Sequence, residues 1–136
     1  MSLFKRVLTG QGAGLPNIYA PGNGLFANLI PTLISTDAAL TLTTAQMVGG
    51  LVIFTGFTAG RAVTTPTATQ ILAAAPDMDI GDSFSFFASV TTAFAATWTA
   101  GTGITLTGRA TLPASTVLQV ITVTRTGAAT FTWNAS

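Results

Sequence analysis

The chain has no histidine, no cysteine and no glutamate, and Lys5 is its only lysine. Each absence removes a class of chemistry. Without histidine or cysteine there is no conventional nucleophile–base triad and no Cys/His metal cluster. Without glutamate, a paired-carboxylate mechanism would need two of the four aspartates, Asp37, Asp77, Asp79 and Asp82. Lys5 lies in a Gly- and Pro-rich stretch, a poor setting for a nucleophile, and the many Ser and Thr hydroxyls have no candidate base. The expectation is a protein that is not an enzyme and uses no cofactor. Lacking cysteine, it has no disulfide framework, and thiol content says nothing about its compartment.

Charge is also scarce. Charged residues make up 7% of the chain, against roughly 25% in an average soluble protein. Arg6, Arg61, Arg109 and Arg125 join Lys5 as dispersed cations, which leaves no basic footprint for nucleic acid. Long apolar runs are missing too. The best, Leu51 to Phe57, is broken by Thr55 and Gly56, well short of the ~18 residues expected of a spanning helix. Lys5 and Arg6 are followed by Gly10, Gln11, Gly12 and Gly14 where a signal peptide would continue its apolar core. Neither a membrane nor nucleic acid is an expected partner, and assembly in a cytoplasm is expected.

What is present is apolar and neutral. Hydrophobic residues reach 49%, mean hydropathy is +0.61 and net charge is +1 in a chain of 136 residues, a length that suits one domain. Much of the polarity comes from threonine. One reading is a β domain with a Thr-rich face. The favoured one is a surface that mostly meets other protein, because obligate interfaces resemble a domain core cut in half and low net charge favours association.

Residues 1–36 read as an extended arm. Between Gly10 and Pro31, glycines and Pro16, Pro21 and Pro31 interrupt any helix or central-strand period. Leu15, Ile18, Tyr19, Leu25, Phe26, Leu29 and Ile30 nevertheless supply apolar anchors, so this segment is expected to order against a surface and to bind a partner. Residues 37–136 read as an all-β domain, a β-sandwich or jelly roll with one short helix.

Within that domain Leu40 and Leu42 alternate with Thr41 and Thr43, and Thr43 to Gly50 suggests one helical turn capped by threonine and stopped by Gly-Gly. Leu51 to Phe54 suits a buried strand. Thr65 as cap, Pro66 at the first helical position and Ala68, Ile71, Leu72 and Ala75 on one face predict the helix, which Pro76 stops. Phe84, Phe86, Ala88 and Val90 then share a strand face, with Phe87 pointing the other way. Phe94, Ala96 and Trp98 share another. Ala100 to Gly103 signals a hairpin into Ile104 and Leu106. A parity switch near Val120 and Ile121 suggests a bulge or burial on both faces. Thr126 to Ala129 turns into a last strand bearing Phe131 and Trp133, and no repeat of fixed period is evident.

Two groups invite a functional reading. Asp77 to Asp82 reads D-M-D-I-G-D, an oxygen-rich run that could suit Ca²⁺ but lacks EF-hand spacing. The favoured reading is a turn whose carboxylates bond local N–H groups, with no metal. Phe84, Phe86, Phe94, Trp98, Phe131 and Trp133 could form a stacking platform, although their period-2 placement favours core or interface. Arg61 and Arg109, each after a Gly, read as turn residues or contacts to an acidic partner.

The order L-T-L-T-T-A-Q-M-V-G-G-L-V-I-F (40–54), G-R-A-V-T-T-P-T-A-T-Q-I-L (60–72), G-D-S-F-S-F-F (81–87) and A-G-T-G-I-T-L-T-G (100–108) resembles small virion proteins of tailed bacteriophages. These are capsid decoration (cement) proteins or capsid-proximal parts of head fibres. The resemblance spans about residues 40–134. It implies a β-sandwich homotrimer on the capsid exterior of the virion, bound to the major capsid protein and stabilising the shell. The alternatives are a receptor- or glycan-binding β module of a phage fibre, or a tail or baseplate component.

Overall fold

A computed structural model describes residues 29–115 and 118–136. The described chain is mainly β, with two short helices. It begins with strand β1 (Ile30–Ile34), β2 (Leu40–Thr41), helix α1 (Thr44–Val48), β3 (Gly50–Phe54), β4 (Arg61–Thr64) and helix α2 (Ala68–Ala74). β5 (Ser83–Val90), β6 (Ala96–Thr99), β7 (Ile104–Gly108), β8 (Thr111–Leu112), β9 (Gln119–Gly127) and β10 (Thr130–Ala135) follow. Two sheets result, in the orders β1-β3-β5-β9-β10-β7 and β2-β4-β6-β8.

The first six strands alternate between the sheets. β1, β3 and β5 pair in parallel in the larger sheet, and β2, β4 and β6 pair in parallel in the smaller. The chain thus winds three times through both sheets, with a capped helix closing the first and second windings. Equivalent positions bond alike. The N–H and hydroxyl of Thr55 both donate to the Ile34 carbonyl, and those of Thr91 both donate to the Phe54 carbonyl. Thr41, Thr64 and Thr99 stand in register, with the Thr64 and Thr99 hydroxyls 2.7 Å apart. Ile30 pairs with Gly50 and Leu51 with Phe87, so successive windings are offset by 20 and then 36 positions. A repeat exists in space although unequal insertions hide it in the sequence.

Parallel pairing is not the antiparallel wiring of a jelly roll. It also corrects the expected hairpin at Ala100–Gly103. β6 and β7 lie in different sheets, and the turn carries the chain between layers. Gly103 turns there with φ +80, and a Cβ would meet the Ala129 carbonyl oxygen at 2.7 Å. The Thr126–Ala129 turn does close a hairpin, antiparallel between β9 and β10, and the ladder shift falls at Thr130/Phe131 instead of Val120/Ile121.

Both helices begin with T-x-x-Q. Thr43 with Gln46, and Thr67 with Gln70, form reciprocal capping boxes that satisfy two orphan N–H groups each. The second cap is therefore Thr67, not Thr65, and Pro66 precedes the cap. The Thr65 hydroxyl is buried instead, accepting from the Gly101 N–H and donating to the Pro66 carbonyl. Ala68, Ile71 and Ala75 are buried as their spacing requires.

The arm reading placed its boundary at residue 36, yet Ile30–Ile34 adds to the edge of the larger sheet and Ile34 is buried. The last part of that span belongs to the sheet. Pro31 is compatible with it because an edge strand needs no ladder donor on its open side. Of the expected anchors, Leu29 is half-buried and Ile30 is 69% exposed; Leu15, Ile18, Tyr19, Leu25 and Phe26 lie outside the described residues.

Inner faces of both sheets share one core. Trp98 of β6 meets Phe54 of β3 edge-on at 6.4 Å and Trp133 of β10 at 5.4 Å, and Phe86 meets Trp133 at 5.4 Å. Such pairs add about 0.5–1.5 kcal/mol beyond area burial.

Candidate functional site

The polar clusters are built into the fold. At the Asp77–Asp82 run, the Asp79 N–H donates to the Asp82 carboxylate at 2.8 Å, and the Asp82 N–H donates to the Asp79 carbonyl at 3.0 Å. These are the local turn bonds expected of an Asx-rich connection. The turn is also tied to β9, since Gly81 N–H reaches the Arg125 carbonyl and Arg125 N–H reaches the Asp82 carbonyl. Among the described residues no group of three or more His, Cys, Asp or Glu is placed to hold a metal ion.

Arg125, which sequence reasoning counted only as a charge, donates to the Gly127, Ala128 and Met78 carbonyls. It fastens the β9–β10 turn to the α2–β5 connection at Met78. Its five-donor fork suits three carbonyl acceptors better than a point charge would.

Arg61 is engaged within the chain. Its Nε and Nη2 donate to Asp37 Oδ1 at 2.9 and 2.8 Å, while the Thr58 hydroxyl and N–H also donate to that carboxylate. The Thr58 hydroxyl, the Thr58 N–H and then the Arg61 guanidinium lower the Asp37 pKa from 3.8 to about 2. This knot joins the loop after β1 to the loop before β4. Because the folded value lies below the unfolded one, the knot contributes fully above about pH 4 and is lost as pH falls through about 2. An NMR titration of Asp37 should show the depressed midpoint in native protein and one shifted up toward the ordinary range in Arg61→Ala/Thr58→Ala, which keeps only the Thr58 N–H donor; equal midpoints would contradict the assignment. Arg109 is exposed, and its carbonyl accepts from Gln119.

The aromatic side chains divide by face. Trp98 and Trp133 are 3% and 0% exposed, and Phe84, Phe86 and Phe131 are buried, so none offers an open stacking plane. Phe94 lies in the turn before β6 and is 42% exposed. Phe87 points outward from the larger sheet and is half-buried, opposite to Phe84 and Phe86 as the alternation predicts.

Gln119 is the second residue that sequence reasoning missed. It is 2% exposed; its Oε1 accepts from Trp98 Nε1 at 2.7 Å, and its Nε2 donates to the Arg109 and Thr111 carbonyls at 3.3 Å. A polar residue on the inner parity of a strand, opposite a lone tryptophan donor, is the signal that could have found it. Nearby, Trp98, Leu106, Thr107, Gly108, Arg109, Ala110, Trp133 and Ala135 line a cavity of about 70 Å³. That is far below the ~300–1,000 Å³ of a typical small-molecule site. Trp133 Nε1 has no hydrogen-bond partner among the described residues.

What remains is surface. Ile30, Leu33, Val48, Ile80, Phe94, Leu118 and Val120 are large apolar side chains between 37% and 69% exposed. They stand on a chain that is 7% charged. No protein-family model matches the chain, no curated protein matches it, and no solved structure matches it.

Proposed function

We propose that the protein is a structural component of a bacteriophage virion, a decoration protein that binds the capsid exterior as a homo-oligomer and stabilises the shell. The observation that carries this reading is the outward display of large apolar side chains on a charge-poor β scaffold. In this reading the two sheets are the layers of a sandwich, the partners are the major capsid protein and further copies in a trimer, and assembly takes place in the host cytoplasm. The resemblance of residues 40–134 to tailed-phage virion proteins supports it.

The mechanism is mechanical. A multimer touching several shell subunits gains through effective concentration what each contact lacks alone. By binding the assembled shell and not free subunits, it shifts assembly by mass action, about 2.7 kcal/mol per site at a hundredfold excess over Kd. A glycan-binding reading that stacks sugars on Trp98 or Trp133 has no support from their burial.

The expected result is co-sedimentation of the purified protein with phage shells at a fixed stoichiometry, and a higher melting temperature for decorated shells. Binding to a glycan array with no affinity for any capsid would favour the fibre-module reading instead.

A further inference from the structure

Two indoles stand in the wall of the cavity of about 70 Å³ between the end of β7, the connection into β8 and the end of β10. Their N–H groups differ. Trp98 Nε1 donates to Gln119 Oε1 at 2.7 Å, whereas Trp133 Nε1 is buried and has no hydrogen-bond partner among the described residues. Trp133 is 0% exposed, so bulk water does not relieve this donor, and a buried donor left unmet is costly.

The rest of the wall has little to offer it. The carbonyls of Arg109, Ala110 and Ala135 already accept from Gln119 Nε2, the Trp98 N–H and the Arg109 N–H, at 3.3, 2.8 and 2.7 Å. Leu106, Ala110, Ala135 and the two indoles supply apolar surface. Arg109 supplies the only formal charge in the wall, and it and Ala110 are exposed, which places the mouth of the site at the β7–β8 connection. An occupant therefore needs an acceptor for Trp133, negative charge for Arg109 and an apolar end for the remainder.

We infer that this cavity binds a short-chain carboxylate, its carboxylate accepting from Trp133 Nε1 beside the Arg109 cation and its alkyl end lying against Leu106 and Ala135. Size sets the limit. At roughly 15 Å³ per water-sized group the cavity admits about four, the heavy-atom count of acetate. A water molecule would meet the indole donor but bring O–H groups of its own to carbonyls that are already engaged. Chloride would leave the apolar surface unmet, and a cation would face Arg109. This site concerns a small ligand and stands apart from the shell-binding role proposed above.

The test is an acetate titration of the full chain followed by ¹H–¹⁵N NMR. Its two tryptophans give two indole N–H signals, which Trp98→Phe or Trp133→Phe assigns. The Trp133 signal should move and saturate, with Kd on the order of millimolar, while the Trp98 signal, held by Gln119, moves little. Arg109→Ala, at an exposed position, should weaken binding roughly tenfold with circular dichroism unchanged. Sodium chloride at matched ionic strength and pH should leave the Trp133 signal in place. A Trp133 signal that does not move with acetate, or that moves equally with chloride, would overturn the site, as would an affinity untouched by Arg109→Ala.

Discussion

Trp98→Ala is expected to lose about 3–5 kcal/mol of folding stability from the cavity alone. The indole is 3% exposed and carries the smaller sheet onto the larger, meeting Phe54 and Trp133. Its removal also strands Gln119 Oε1, a buried acceptor whose hydrogen bond would be lost, worth about 1–3 kcal/mol more. Against a total of roughly 5–15 kcal/mol for a domain, the variant should be largely unfolded or close to it at 37 °C. Trp98→Phe keeps most of the ring packing and loses the donor, so its cost should be clearly smaller. Urea titrations of the two variants separate packing from hydrogen bonding. A loss below about 2 kcal/mol for Trp98→Ala would mean that the sheets are held together elsewhere.

The second large effect concerns β1. A chain beginning at residue 37 should be several kcal/mol less stable than one beginning at residue 29, with a markedly lower melting temperature. The shorter chain lacks five register pairs with β3 and the buried Ile34. It also lacks the Ile34 carbonyl that accepts from both donors of Thr55. Losing a buried isoleucine side chain alone costs about 2–5 kcal/mol. The new edge, β3, has half-buried Leu51 and Ile53 on its outward parity, so aggregation should accompany the loss. Superimposable melting curves for the two chains would show that β1 is an accessory strand and that the boundary at residue 36 is the energetic one.

The same comparison shows how far the sequence reaches. Both helices were legible because their signals are local: threonine caps, apolar spacing, and Gly-Gly or Pro76 at the stop. The second cap was misplaced by two residues because Thr65 and Thr67 both precede Ala68, and only the fold buries the Thr65 hydroxyl against Gly101. The alternation in Ser83–Val90 was legible for the same reason, including the outward turn of Phe87.

Composition alone led to the expectation of contact with other protein, through scarce charge and abundant apolar residues. It did not say where. The exposed Leu33, Leu118 and Val120 come from distant parts of the chain and share a face only because β1, β3, β5 and β9 are sheet neighbours. The anchors expected between Leu15 and Phe26 lie outside the described residues.

By itself, then, the sequence determined the class of structure: short strands, capped helical turns, and a neutral, apolar-rich composition without histidine or cysteine. Strand pairing was decided only in three dimensions. A Gly-rich turn such as Ala100–Gly103 has the same local chemistry whether it closes a hairpin or carries the chain to another sheet, and the outcome depends on which distant strand presents open backbone groups. The parallel windings with unequal insertions, the buried Gln119 bridge to Trp98 and the role of Ile30–Ile34 as an edge strand all arise at that level. Each is a contact between residues far apart in the chain, whose closure entropy only the assembled core offsets.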